Sequence, residues 1–166
     1  MSKSSVSQST IIFTDIVGYS TMVGKDEKLA LSLLEEHNKI IFPIIDSYDG
    51  EIIKLIGDAI FARFPSPDNS LYAVTKIQTV LKERNSVSSD NQKITIRIGL
   101  HLGKVIEKDN DLFGHDVNLC SRIESLAPLG GIAVSAELIE NLKDNNDLFY
   151  REMGYIKLKN IIEPQQ

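Results

Sequence analysis

Two aspartates in this 166-residue chain stand where chemistry is possible: Asp15 in IIFTDIVGYS and Asp58 in IIKLIGDAIFARF. In both stretches a β-branched, apolar run reaches a glycine, which places the carboxylates at strand ends or tight turns and not on a solvated helix face. Carboxylates held in this way are ligands for hard cations. Two at one site suit two magnesium ions acting on a polyphosphate, because magnesium takes one or two carboxylates and completes its shell with water and substrate oxygens. Aspartate beside glycine is also a common turn device. Further on, Asn118 and Arg122 are four residues apart in a helical stretch and project from one face. An amide and a guanidinium so placed suit a ribose and a phosphoryl oxygen, although many polar helix faces show the same spacing.

The elements that must position these residues follow from periodicity. Residues 10 to 16 read as a buried strand. From Lys25 to Tyr48 a helical stripe runs through Ala30, Leu33, Leu34, His37, Ile40, Ile41, Ile44 and Ile45, with Pro43 expected to kink it. Asp49-Gly50 closes that helix and starts a hairpin of residues 51 to 56 and 59 to 64, with Gly57-Asp58 at its tip. A helix is expected over 68 to 84, a strand over KITIRIGL, and a short partner strand over 104 to 107. A further helix runs from about Asp116 to Ala127 and stops at Pro128 and the glycines 130 and 131. A strand at 132 to 134, a helix from Ser135 and two late strands complete an α+β chain in the order β-α-β-β-α-β, the ferredoxin-like split βαβ pattern.

Composition bounds the partners. With 42% hydrophobic and 25% charged residues the chain is an ordinary globular domain, and its net charge of −5 argues against nucleic acid or anionic lipid bound through overall basicity. An anionic substrate has to be held by local charge and metal. The single cysteine, Cys120, excludes an intramolecular disulfide and fits a reducing, cytoplasmic compartment. No run of about 18 apolar residues exists, so no direct membrane contact is expected. The polar start MSKSSVSQST reads as a flexible segment over residues 1 to 9, leaving 10 to 166 as the folded domain.

Taken in order, FTDIVGYS, KLIGDAIFARF, RIGLHLG, DLFGHDVNLCSRIESLA and GYIKLKN resemble the catalytic domain of the class III nucleotidyl cyclases, over Ile11 to about Pro164. The resemblance implies conversion of a nucleoside triphosphate to its 3′,5′-cyclic monophosphate and pyrophosphate. It implies that Asp15 and Asp58, helped by the backbone carbonyl of Ile16, bind two Mg²⁺ or Mn²⁺ ions, one acidifying the attacking hydroxyl and the other neutralising the triphosphate. No side chain need then act as general base. The backbone N–H groups of Val17 to Ser20 would face the β and γ phosphates, and Arg97 and Lys159 would contact phosphate. Asn118 would orient the ribose and Arg122 would stabilise charge at the pentavalent phosphorus.

Base choice is implied to lie with Lys54 and Asp111, which would read N1 and the 6-amino group of adenine, with Asp109 as a fallback. Guanine needs the opposite donors and acceptors, and guanylyl cyclases commonly carry glutamate and cysteine here. The chain therefore reads as an adenylyl cyclase using ATP. Guanylyl or mixed specificity and a catalytically silent nucleotide-binding module are the alternatives. A GGDEF-like signature of diguanylate cyclases is absent. Because Lys54 and Asp58 are close in sequence but belong to different parts of the site, the resemblance implies a two-fold homodimer. One copy brings Asp15, Asp58 and Arg97, and the other Lys54, Asp111, Asn118, Arg122 and Lys159. The segment KVIEKDN is shorter than the hairpin arm of many cyclases, which implies weak association. The stop at KNIIEPQQ, one strand early for the family, implies a fragment of a larger protein with a regulatory domain outside this chain.

Overall fold

A computed structural model describes residues 5–143, 148–161 and 165–166. Its centre is a twisted sheet built from β1 (Ser5–Ile16), β2 (Glu51–Ile56), β3 (Ala59–Phe64), β4 (Ile96–Lys108) and β5 (Asp111–Phe113), in the order β2-β3-β1-β4-β5. Each of these neighbours is antiparallel, while β6 (Ile132–Val134) lies parallel to β4. The four central strands thus have the ferredoxin-like order expected from the β-α-β-β-α-β pattern.

Alternation along the strands builds two layers of core. One face carries Ile12, Ile60, Ala62, Ile98 and Leu100, packed against Leu33, Ile41 and Ile45 of α2 (Glu27–Ser47) and Ala73, Ile77 and Leu81 of α3 (Pro67–Ser86). The opposite face carries Ile11, Phe13, Phe61 and Val105 against Cys120 of α4 (His115–Glu124). Helix starts follow from capping: Asp26 accepts the Leu29 N–H and Ser66 the Asn69 N–H. Proline at the first position of α3 costs nothing there, because that N–H has no intrahelical partner anyway.

Several expectations need correction. Residues 5 to 9 are not a flexible segment: Ser5 to Ser9 pair with Glu107 to Gly103, because the long β4 offers an edge that would otherwise lie open. The stripe expected from Lys25 to Tyr48 is one helix, α2, which runs on past Pro43 to Ser47; a separate short helix, α1 (Tyr19–Lys25), precedes it across Asp26 in an extended conformation. The strand over KITIRIGL and the partner over 104 to 107 are one continuous β4; its true partner is β5, reached through Asp109 and Asn110 at φ 53° and 59°. Glycine does not break β4, since Gly99 and Gly103 make room for α4. A Cβ on Gly99 would lie 2.4 Å from the Glu124 nitrogen, and one on Gly103 2.5 Å from the Asp116 carboxylate. After α5 (Ala136–Glu140) the two late strands reduce, among the described residues, to one bridge between Ile156 and Gln165.

Candidate active site

The hairpin between β2 and β3 turns at Gly57, whose φ of +63° disfavours any residue with a Cβ, and this turn sets Asp58 beside the end of β1. There Asp58 Oδ2 accepts the Ile16 N–H at 2.9 Å. The Asp15 carboxyl is held above the usual carboxylate range, first by burial, then by the negative charge of Asp58 and a hydrogen bond shared with it; Arg97, its direct cross-strand partner, opposes this. Two carboxyl groups that repel each other at one strand end are a pair that a divalent cation can relieve, and the all-oxygen donor set suits Mg²⁺ or Mn²⁺. Among the described residues no third His, Cys, Asp or Glu joins them as a ligand cluster. Remaining ligands would come from water, substrate and backbone.

The loop at Val17 to Ser20 is only partly as expected. The N–H of Val17 is taken by the Thr95 carbonyl at 2.8 Å, so this amide does not face outward. Gly18 is the N-cap of α1 at φ 74°, and no side chain caps the helix.

A second group of residues meets on the α4 side of the sheet. Lys54 Nζ lies 2.5 Å from Asp111 Oδ2, and this contact holds the Asp111 carboxyl below its usual range. The ammonium also sits 5.9 Å from the Phe61 ring centre and 5.8 Å from that of Phe113. A β-bulge between Ile52 and Lys54 makes this possible. It aligns Lys54 with Phe61, on the α4 face, where plain alternation from Ile52 would send the side chain to the α2–α3 face. A cleft of 360 Å³ opens here, lined by Phe13, Lys54, Ile56, Phe61, Phe113 and Asn118 among others. Its apolar walls and few polar groups fit a planar heterocycle.

Asn118 and Arg122 are exposed on α4, as their spacing implied, and only Asn118 lines the cleft. Lys159 is exposed between Leu158 and Ile161, which pack against Leu119 and Ile123 of α4. Asp109 occupies the β4–β5 turn, whereas Asp111 faces Lys54. Within one copy the residues therefore fall into two groups: Asp15, Asp58 and Arg97 at the end of β1, and Lys54, Asp111 and Asn118 around the cleft.

Residues 1–164 match the adenylate and guanylate cyclase catalytic domain family. The chain belongs to that family. It is similar to putative adenylate cyclase 3 of Rhizobium meliloti, at 32% identity over 167 residues, covering 99% of this chain and 28% of the relative. The adenylate cyclase of Anabaena cylindrica is 32% identical over 152 residues, with 80% of this chain and 30% of that protein covered. A crystal structure of an adenylate/guanylate cyclase/hydrolase from Silicibacter pomeroyi superimposes with a TM-score of 0.91 at 28% identity, covering 98% of this chain and 95% of the other. The chain spans less than a third of the length of either of these two relatives.

Three features of this cyclase domain escaped the sequence reading. Glu124 approaches Asp15 and Arg97 from the last turn of α4, and its carboxyl is pushed up to about 7, chiefly by burial and then by Asp15, with Arg97 opposing. The signal for it was Gly99, a glycine inside a strand, which marks a close approach. The Phe61–Phe113 cage about Lys54 depends on the bulge, which no local pattern announces. His37, read as one member of an apolar stripe, is fully buried, bonded to Asn38 Oδ1 at 2.9 Å, and held below its usual range by burial, with the negative charge of Asp58 opposing.

Proposed function

We propose that this cyclase domain converts ATP to 3′,5′-cyclic AMP and pyrophosphate, at sites shared between two copies of the chain in the cytoplasm. The observation that carries the choice of ATP is the Lys54–Asp111 pair in an aromatic cleft. A lysine has three donor hydrogens and a carboxylate about four acceptor positions. Lys54 can therefore donate to N1 of adenine while keeping Asp111, and Asp111 can accept from the 6-amino group as well. Guanine presents N1–H to the ammonium and O6 to the carboxylate, leaving both mispaired, a fault that costs orders of magnitude in selection.

Divalent cations bound to Asp15 and Asp58 would supply neutralisation of the triphosphate and acidification of the 3′-hydroxyl. The other tasks fall to protein groups. Arg97 and Lys159 hold terminal phosphates, Asn118 orients the ribose, and Arg122 places positive charge where it develops on the α-phosphoryl oxygens. The exposure of Asn118 and Arg122 on α4, open to a second copy, supports a site completed by that copy.

The deciding experiment measures product from ATP and from GTP, with Mg²⁺ and with Mn²⁺, over a range of protein concentrations. Cyclic AMP formed with a specific activity that rises with concentration is the expected result. Comparable turnover of GTP would overturn the role given to Lys54 and Asp111, and activity independent of concentration would overturn the shared site.

A further inference from the structure

The last turn of α4 lies against β4 more closely than any side chain on Gly99 would allow, with Glu124 backbone atoms occupying the space of a Cβ at that position. This contact brings the Glu124 carboxyl to the same face of the sheet as Arg97, two residues before Gly99, and Asp15, directly across from Arg97 on β1. Two buried polar atoms there have no hydrogen-bond partner among the described residues: Arg97 Nε, a donor, and Glu124 Oε1, an acceptor. Opposite charges attract them, and Asp15 and Glu124 draw on the same guanidinium. A buried donor and a buried acceptor left unpaired are both costly, so a side-chain rotation that joins them is favourable.

We propose that Glu124 is a positioning residue of the cyclase site, binding the Nε side of Arg97 so that the terminal nitrogens of the guanidinium point at the nucleotide phosphates. The inference rests on the phosphate role of Arg97 in the function proposed above. The other carboxylate that draws on Arg97 is its cross-strand partner Asp15, which Asp58 neighbours in turn. When cations and nucleotide take over those carboxylates, an arginine without a second anchor loses its orientation. Glu124 supplies that anchor from a helix whose approach is fixed by glycine.

The test is a double-mutant cycle on KM for ATP and on kcat, at about pH 8 where the carboxylate is charged, using Arg97→Ala, Glu124→Ala and the double variant. Each single substitution is expected to raise KM about ten-fold, the scale of a charged hydrogen bond. The double variant is expected to match the single ones, since one interaction is lost only once. Multiplied effects, about a hundred-fold in the double variant, would overturn the pairing while leaving the phosphate role of Arg97 intact. An unchanged KM in Arg97→Ala would overturn that role and the inference with it. Glu124→Gln keeps volume and an acceptor oxygen, so it serves in the cycle if the alanine variant fails to fold. It is expected to raise KM a few-fold in the parent and not at all beside Arg97→Ala; a Gln variant equal to the parent would also overturn the pairing.

Discussion

Asp58 has two tasks that substitution can separate. One of its oxygens holds the Ile16 N–H at 2.9 Å, and its charge confronts Asp15. Asp58→Asn keeps an acceptor for Ile16 but removes the charge, whereas Asp58→Ala removes both. Both variants are expected to lose at least about a hundred-fold in metal-dependent turnover. Only the alanine variant is expected to lose stability, by about 1–2 kcal/mol in urea unfolding. Retained turnover in either would reject Asp58 as a cation ligand.

The acidic groups at this end of the sheet also make stability depend on pH. Glu124 is pushed up to about 7 and Asp15 is raised as well, so the folded chain binds protons more tightly than the unfolded one. For raised carboxyls the contribution is complete below the ordinary carboxylate range and is lost as pH climbs through the folded values. Unfolding free energy, without divalent cations, is therefore expected to fall between about pH 4.5 and 7. Glu124→Gln should flatten that fall by about 1–2 kcal/mol, a figure reduced because the group is only half buried. Urea titrations across this range check it; an equally steep fall in the variant would assign the whole effect to other groups.

At the scale of the element, β1 does more than the sequence suggested. Its first residues, Ser5 to Ser9, look like linker because serine and glutamine carry no periodic signal, yet backbone pairing with β4 needs no side-chain pattern. Removing residues 1–9 is expected to cost about 2 kcal/mol and about 4–8 °C in Tm. A true linker would cost nothing, and thermal melts of the two lengths decide. The strands carrying Asp15 and Asp58 and the helix carrying Asn118 and Arg122 were legible because β-branched runs, glycine turns and helical stripes are local signals. The continuous β4 was hidden because Gly99 and Gly103 resemble breakers until the helix they accommodate is placed. The pairing of Lys54 with Asp111 in an aromatic cleft was not legible in the residues alone, since the face of Lys54 is set by a bulge in β2.

For the whole molecule, the division of site residues into two groups makes a prediction about mixtures. Asp15→Ala and Arg122→Ala should each be inactive alone. In a mixed dimer of shared sites, one site carries both defects and the other carries neither. Random pairing puts half of the dimers in this mixed form, so activity should return to about a quarter of the parent level. No recovery, with exchange of subunits confirmed, would place a complete site within each copy.

The register of β1 adds one consequence. All 12 of its residues are aligned with partners on β4, and Thr10 to Thr14 are aligned on the other side with β3. A slip by a single position would turn every side chain to the opposite face and break both ladders together. Asp15 therefore cannot be withdrawn along its own strand, however hard the far end at Ser5 is pulled, roughly 33 Å away at the usual rise per residue. The chain offers a controller no sliding bolt. It offers a stiff rod, so a pull on its far end moves β1 and the strands paired with it as one body.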